Sequence, residues 1–508
     1  MRLLTGMLTG FLMIVLCSGI PKTSSKNIQT YVSNYENVLG TSLQIKVFAA
    51  SETDAAAAEN NAMNEIDRLD HIISGYNQQS EFNRWMNAPQ HPVFVSPELF
   101  EVLDLFDKWR IRTNGALDAS AEVVGKLWKA AAKRNQIPTQ AEIDQAVSLV
   151  KQPHYKLDAA NHTVQRLDNV PLMLNSFAKS YIINKACNAA LSSVNVSGIV
   201  LNIGGDIVIR GNHTEQVQIS DPKADAENDA PISTVNLSNR AIATSGNYRR
   251  GELISGKWYS HIVDPRTGIP AENVISSTVI SPNATDAGAL ATAFCVLTPE
   301  ESARLAATFQ GTEYLIITRN GKRIESNGWK NAEIAEVNNV KTEGVNNNNL
   351  SQKGAAWDPN YELLINLELA EIQGFRVHRP YVAVWVVDKN KKPVRNIALW
   401  YNKTRYLDDI HVWYDAYFQT FMDDHANISS TSSATRSPGK YTLKWDGKDD
   451  KGKLVNKGTY TIYIEAAREH GTHQLMEKQM DFSGIPKQIT LEGNAEIASA
   501  SLDYRKKP

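Results

Sequence analysis

LQIKVFA (43–49) alternates apolar and polar positions, the period of a half-buried strand. Residues 53–73 instead place Met63, Ile66, Leu69, Ile72 and Ile73 at helical spacing, and PELFEVLDLFDKWR (97–110) predicts a second amphipathic helix. Thr139 with Glu142 forms a capping box ahead of a third helix, and Thr298 with Glu301 repeats the device ahead of 299–309. VSGIVLNIGGDIVIRG (196–211) predicts two β segments joined through Gly204 and Gly205. YLIITRNGKRIES (314–326) predicts a hairpin, with Asn320-Gly321 favouring a tight primed turn. Residues 28–335 therefore mix strands and helices in one unit.

The pattern changes after that unit. Residues 336–356 are polar and Asn-rich without periodicity, which predicts a linker. YELLINLEL (361–369), YVAVWVVD (381–388), YTLKWDG (441–447) and GTYTIYIEAARE (458–469) are strand-like, with turn-rich spacers. They predict an all-β sandwich over 357–508. DGKDDKGK (446–453) invites a calcium reading, but it lacks the downstream glutamate of an EF-hand loop, so a hairpin turn is expected.

Composition narrows the possibilities. At 508 residues the chain exceeds one typical core, and 42% hydrophobic with 21% charged residues is globular composition. A formal net charge of −2 supplies no basic footprint for a nucleic-acid partner. The first nineteen residues carry Arg2 and then an apolar run ending in small residues, the pattern of a secretory signal, with an uncleaved membrane anchor as the alternative. Cys17 invites a lipid-attachment reading, against which Leu16 is bulky. Periplasmic or other extracytoplasmic localisation is expected. Of the remaining cysteines, Cys187 and Cys295 either pair or stay buried, and they are not a zinc pattern.

Four stretches of the first unit carry chemistry. GGD (204–206) combines two glycines, which permit close backbone approach, with the carboxylate of Asp206. ATSGNY (243–248) groups the hydroxyls of Thr244 and Ser245 with Gly246, an arrangement suited to phosphate oxygens. YSHIVDPRTGIP (259–270) packs His261 and Asp264 between prolines that stiffen the turn. TDAGALATA (285–293) is nearly all small residues, with Asp286 and Thr292 as its only ligating side chains beyond Thr285. Each has a bland reading as turn, loop or packing surface.

In order, these stretches resemble the FAD:protein FMN transferase family, called ApbE. The resemblance extends to LGT (39–41), LDHIISGYNQQSEFNRW (69–85), TNGALDASAEVVGKLW (113–128) and AKSYIINKA (178–186), and covers roughly residues 30–330. It implies an α+β fold that takes FAD and Mg²⁺, moves FMN onto a threonine of an exported flavoprotein, and releases AMP. It implies His261 as the base, Thr244, Ser245 and Gly246 against phosphate, and Tyr76 on a flavin or adenine ring. Ala116, Leu117 and Asp118 match the nucleotide-contacting segment. Lys179 would offset phosphate charge, and Asn175, Gly205, Asp206 and Asp264 belong to the same binding set.

The metal segment departs from the family pattern, Ala-Asp-Ala-Leu-Ala-Thr, whose Asp and Thr share a helix face. Aligned on Thr292, the Asp position is Gly288. Asp286 lies six residues from Thr292, about 240° around a helix, so it reaches a metal only if it precedes the helix, where its default is an N-cap. The resemblance implies Thr292 and the Ala178 carbonyl as ligands, with Asp286 as the candidate carboxylate. Asn175, Ser180 and Asn184 stand where the family has Asp, Gly and Asp. Fewer carboxylates weaken a Mg²⁺ site without abolishing it, because water and phosphate complete its octahedron.

SATRSPGKYTLKWDGKDDKG (433–452) and IEAAREHGTHQL (464–475) resemble a periplasmic, immunoglobulin-like domain of undefined function. SSAT (432–435) loosely matches flavin-acceptor sequences, which raises Thr435 as an acceptor within the chain against a plain loop. Three functions follow: an exported transferase, a flavin-binding relative without turnover that serves as carrier or redox-complex component, and an assembly protein acting through the β domain.

Overall fold

The computed structural model describes residues 28–334, 355–372, 379–423, 432, 433, 435–469 and 471–507. The expected signal segment and nearly all of the expected linker lie outside the described residues. Among the described residues no helix is long and apolar enough to cross a membrane.

The first unit is built on an eight-stranded antiparallel sheet. Its spatial order is Gln29–Val38, Thr41–Ala49, Val196–Ile203, Asp206–Gly211, Ala241–Gly246, Val274–Ser281, Glu313–Thr318 and Arg323–Glu325. Alternation along the second strand decides its faces. Leu43, Ile45 and Val47 enter the core under the helices, while Phe48 joins Val200, Ile209, Ile242 and Trp329 on the other side. The helical face is covered by Glu52–Ile73, Ala178–Leu191 and Ala284–Val296. The first buries Ala55, Ala58, Ala62, Ile66, Leu69 and Ile73, and Ser51 caps its start by accepting from the Asp54 amide.

Both capping boxes form as expected, at Thr139–Glu142 and Thr298–Glu301, although the second helix ends at Ala306. The hairpin Glu313–Thr318 to Arg323–Glu325 also forms. Gly321 has φ +82°, and Asn320 is absent from the left-handed residues, so the loop is wider than the primed turn expected. Cys187 and Cys295 are buried and unpaired, and burial pushes both thiols up to about 12.

The second unit is a sandwich. One sheet has the order Gly439–Trp445, Tyr361–Leu369, Ile497–Lys506 and Lys487–Leu491. The other runs Ser432–Ser433, Pro393–Trp400, Tyr381–Asp388, Thr459–Ala467 and His473–Asp481. Trp357, Trp445, Phe482 and Tyr504 fill the space between them. The strand pattern missed the helix His411–Asp423, whose Trp413 and Tyr417 pack on the outer face of the five-stranded sheet with Trp385 and Tyr463. DGKDDKGK is a turn: Asp449 Oδ1 accepts from the amides of Lys451 (3.0 Å) and Lys453 (2.9 Å), and Asp446 pairs with Lys448 at 2.8 Å.

The two units touch beside the functional cavity. The Glu227 amide donates to the Thr442 carbonyl (2.9 Å), and the Asn228 side chain bridges both backbone groups of Lys444 at 2.8 Å. Lys444 pairs with Asp229 at 2.9 Å and with Asp225. The 225–229 segment thereby covers the open edge of the Gly439–Trp445 strand, a device that removes an exposed sheet edge.

Candidate active site

A cavity of about 1050 Å³ opens over the centre of the first sheet, where the GGD turn, the Ala241–Gly246 strand and the Ala178 and Ala284 helices converge. Gly204 and Gly205 form the turn between two central strands, with φ +60° and +101°, values that favour glycine. The turn aims Asp206 at the Ser180 hydroxyl, which donates to its Oδ2 at 2.7 Å. Surrounding protein pushes the Asp206 pKa up to about 6; the Ser180 bond and the nearby Lys179 charge oppose this. Lys179 is itself lowered, by burial and by Arg250, with Asp206 opposing.

Residues 241–246, read from sequence as a hydroxyl-rich stretch, are a strand paired with Val274–Ser281. Thr244 and Thr278 hydroxyls lie 2.9 Å apart, and Ser245 lies 3.2 Å from Thr292. Thr292 donates to the Ser176 carbonyl at 2.9 Å. Thr244, Ser245, Gly246 and Thr292 all line the cavity, together with Gly205 and Asp206.

His261 lines it as well. Its Nδ1 lies 3.0 Å from the Arg250 carbonyl, which only accepts, so Nδ1 carries the proton and Nε2 keeps a free lone pair. Surrounding protein lowers its pKa; the charges of Arg250 and Lys129 add to this, while the carbonyl bond opposes. Tyr76 is 72% exposed at the rim and accepts from the Asn175 side chain at 2.8 Å. Ala116 and Leu117 are buried in the wall. Asp118 also lines the cavity, but it is engaged locally: Oδ1 accepts from the Ser120 amide (2.7 Å) and hydroxyl (2.6 Å), and Arg110 pairs with it at 3.0 Å.

Three expected site residues fall outside the cavity lining. Asn283 caps the Ala284–Val296 helix, accepting from the amides of Thr285 and Asp286, so Asp286 is neither N-cap nor ahead of the helix. It sits in the first turn, where burial raises its pKa and the Arg112 charge opposes, while Gly288 and Thr292 face the cavity. Asp264 is used by its own turn, with Arg266 Nε and Nη2 both at 2.9 Å. Ala178 is buried at the start of its helix and does not line the cavity.

Sequence reasoning missed several lining residues. Arg249 and Arg250 directly follow the hydroxyl stretch, a signal within reach. Ser180 was read only as a departure, and Arg436 and Tyr441 come from the sandwich unit, which no local pattern could reveal. Arg436 lies over the Trp400 ring, 5.2 Å from its centroid, and pairs with Glu227 at 3.5 Å. Thr435, its neighbour, is buried.

Residues 39–316 match the ApbE family, and residues 362–499 match a domain described as a predicted periplasmic protein (DUF2271). The FAD:protein FMN transferase of Escherichia coli K12 is 25% identical over 326 residues, 62% of this chain and 92% of its own. That of Chlamydia muridarum is 28% identical over 301 residues, 57% and 89% of the two chains. Among solved structures, the ApbE protein of Thermotoga maritima superposes with TM-score 0.54 at 27% identity, covering 60% of this chain and all of its own. The flavin transferase ApbE of Vibrio cholerae gives TM-score 0.51 at 22% identity over the same shares, a likeness of fold.

The antiparallel sheet with its central cavity thus defines an ApbE-like fold followed by a sandwich. The chain belongs to the ApbE family.

Proposed function

We propose that the chain is an FAD:protein FMN transferase of the periplasm. The observation that carries this reading is the His261 tautomer: Nδ1–H is spent on the Arg250 carbonyl, and Nε2 is left as a base in a cavity also lined by Thr244 and Ser245. A threonine hydroxyl of the acceptor attacks the FMN phosphorus of FAD, and its proton passes to His261 Nε2. The phosphorus–oxygen bond to AMP breaks, and AMP leaves. Lys179 and Arg250 supply positive charge, and the strand hydroxyls orient phosphate oxygens.

For Mg²⁺ the donors suited to the ion are the Asp206 carboxylate and the Thr292 hydroxyl, both facing the cavity. A carboxylate whose pKa is raised gains from a cation beside it, so this set fits the ion although Asp286 and Ala178 stand outside. Bound there, Mg²⁺ would neutralise diphosphate charge. A separate exported flavoprotein is the acceptor in this reading, because Thr435 is buried. The test is incubation of the full chain with FAD, Mg²⁺ and an acceptor protein, scored for AMP and acceptor-bound flavin.

One observation favours a second reading, a flavin-binding relative with impaired turnover. Gly288 supplies no carboxylate, and the Ser180 side chain fills the adjacent space. Tight FAD binding without AMP under saturating Mg²⁺ would decide for it.

A further inference from the structure

Away from the flavin cavity, the sandwich brings two imidazoles and one carboxylate together. Glu465 lies on the Thr459–Ala467 strand, on the face that packs against the His411–Asp423 helix. It is fully buried, and its two oxygens accept from the first-turn amides of Val412 (2.9 Å) and Trp413 (2.7 Å). His473, on the neighbouring strand, places Nε2 2.6 Å from Glu465 Oε1. His411, the first residue of the helix, stacks on His473 with ring centroids 4.0 Å apart and planes at 26°. One ligating atom from each residue lies within 4.8 Å of the others.

A His473–Glu465 hydrogen bond accounts for two of these side chains and leaves His411 unexplained. The stacked rings of His411 and His473 bring two imidazole nitrogens within reach of the Glu465 carboxylate. The first-turn amides of Val412 and Trp413 hold both Glu465 oxygens in place, which fixes a carboxylate as the floor of the site. His473 is partly exposed and His411 exposed, leaving an entry path from solvent. Two nitrogens and one carboxylate oxygen suit a borderline transition-metal ion such as Zn²⁺ over Mg²⁺ or Ca²⁺, which prefer all-oxygen shells.

We infer that His411, Glu465 and His473 form a binding site for a divalent transition-metal ion of the zinc class. Three protein ligands leave a fourth tetrahedral position for water or an outside donor. The ion ties the helix to the two strands beneath it and so stabilises the β domain from its outer face.

The test uses the full chain stripped with a chelator and titrated with Zn²⁺, with metal content counted after desalting and thermal unfolding followed in parallel. One tightly held equivalent and a raised unfolding temperature are expected. His473→Ala and His411→Ala should each weaken that equivalent at least tenfold and abolish the temperature shift, while FAD binding stays unchanged. Because both histidines reach solvent, these variants are chosen over changes at the buried Glu465. Absence of a stoichiometric equivalent, or one that survives both substitutions, overturns the inference.

Discussion

Ser180 and Gly288 share one space: a Cβ added to Gly288 would fall 2.9 Å from the Ser180 Cβ and closer still to its hydroxyl. Gly288 leaves open the space that the Ser180 side chain fills. The Ser180 hydroxyl, which donates to Asp206, stands where a side chain at position 288 would enter. Gly288→Asp alone should therefore destabilise the chain by about 1–3 kcal/mol through overpacking, read by urea unfolding. Combined with Ser180→Gly, the same aspartate should be tolerated and should lower the Mg²⁺ concentration for half-maximal AMP release. Equal stability of Gly288→Asp with and without the second change would refute the shared space.

His261 is expected to matter for the rate and little for binding. His261→Ala should reduce AMP release about 10²–10⁴-fold, the range for a lost general base, with FAD affinity held within about threefold. Because the His261 pKa is lowered, the base should stay neutral and active to a lower pH than free imidazole would allow. A parent profile whose acid limb lay above that of free imidazole would contradict the assignment.

Asp206 gives a pH signature in stability. Its folded pKa, about 6, lies above the ordinary 3.8, so the folded chain favours the protonated form. Its contribution is therefore most favourable below the unfolded pKa and is lost as pH rises through about 6, by on the order of 3 kcal/mol. In chelator, Asp206→Asn should gain stability relative to the parent on going from pH 4 to pH 7. A constant difference between the two proteins across that interval would show that Asp206 carries no such cost.

Arg436 tests whether the sandwich serves the cavity it borders. Arg436→Ala should raise the KM for FAD or acceptor about three- to tenfold, around 1 kcal/mol, with kcat little changed. Unchanged kinetics would reduce the sandwich wall to a neighbour of the site.

The sequence made much of this architecture legible because the relevant signals are local. Periodicity placed the Glu52–Ile73 helix to within a residue, and the two capping boxes marked helix starts where they occur. The glycine pair at 204 and 205 and the strand hydroxyls at 244 and 245 line the cavity. What stayed hidden depends on distant packing. Spacing from Thr292 does not place Asp286, because Asn283 fixes the helix start and leaves Asp286 in the first turn within the field of the Arg112 charge. Asp264 looked chemical beside His261, yet Arg266, two residues on, takes both of its oxygens. Arg436 enters through an interface and Ser180 through packing against Gly288, and neither leaves a periodic trace. The His411–Asp423 helix carries a weak local signal, because its aromatic residues, Trp413, Tyr414, Tyr417 and Phe418, suit a strand equally well.

The proposed transfer chemistry takes place in the cavity that His261 lines. Its most direct measurement is AMP release from FAD by the purified full chain with Mg²⁺ and an acceptor protein, run beside His261→Ala. Release of AMP in step with flavin bound to the acceptor, lost in the variant, is the expected result. A folded chain that binds FAD and yields no AMP at saturating Mg²⁺ would contradict it.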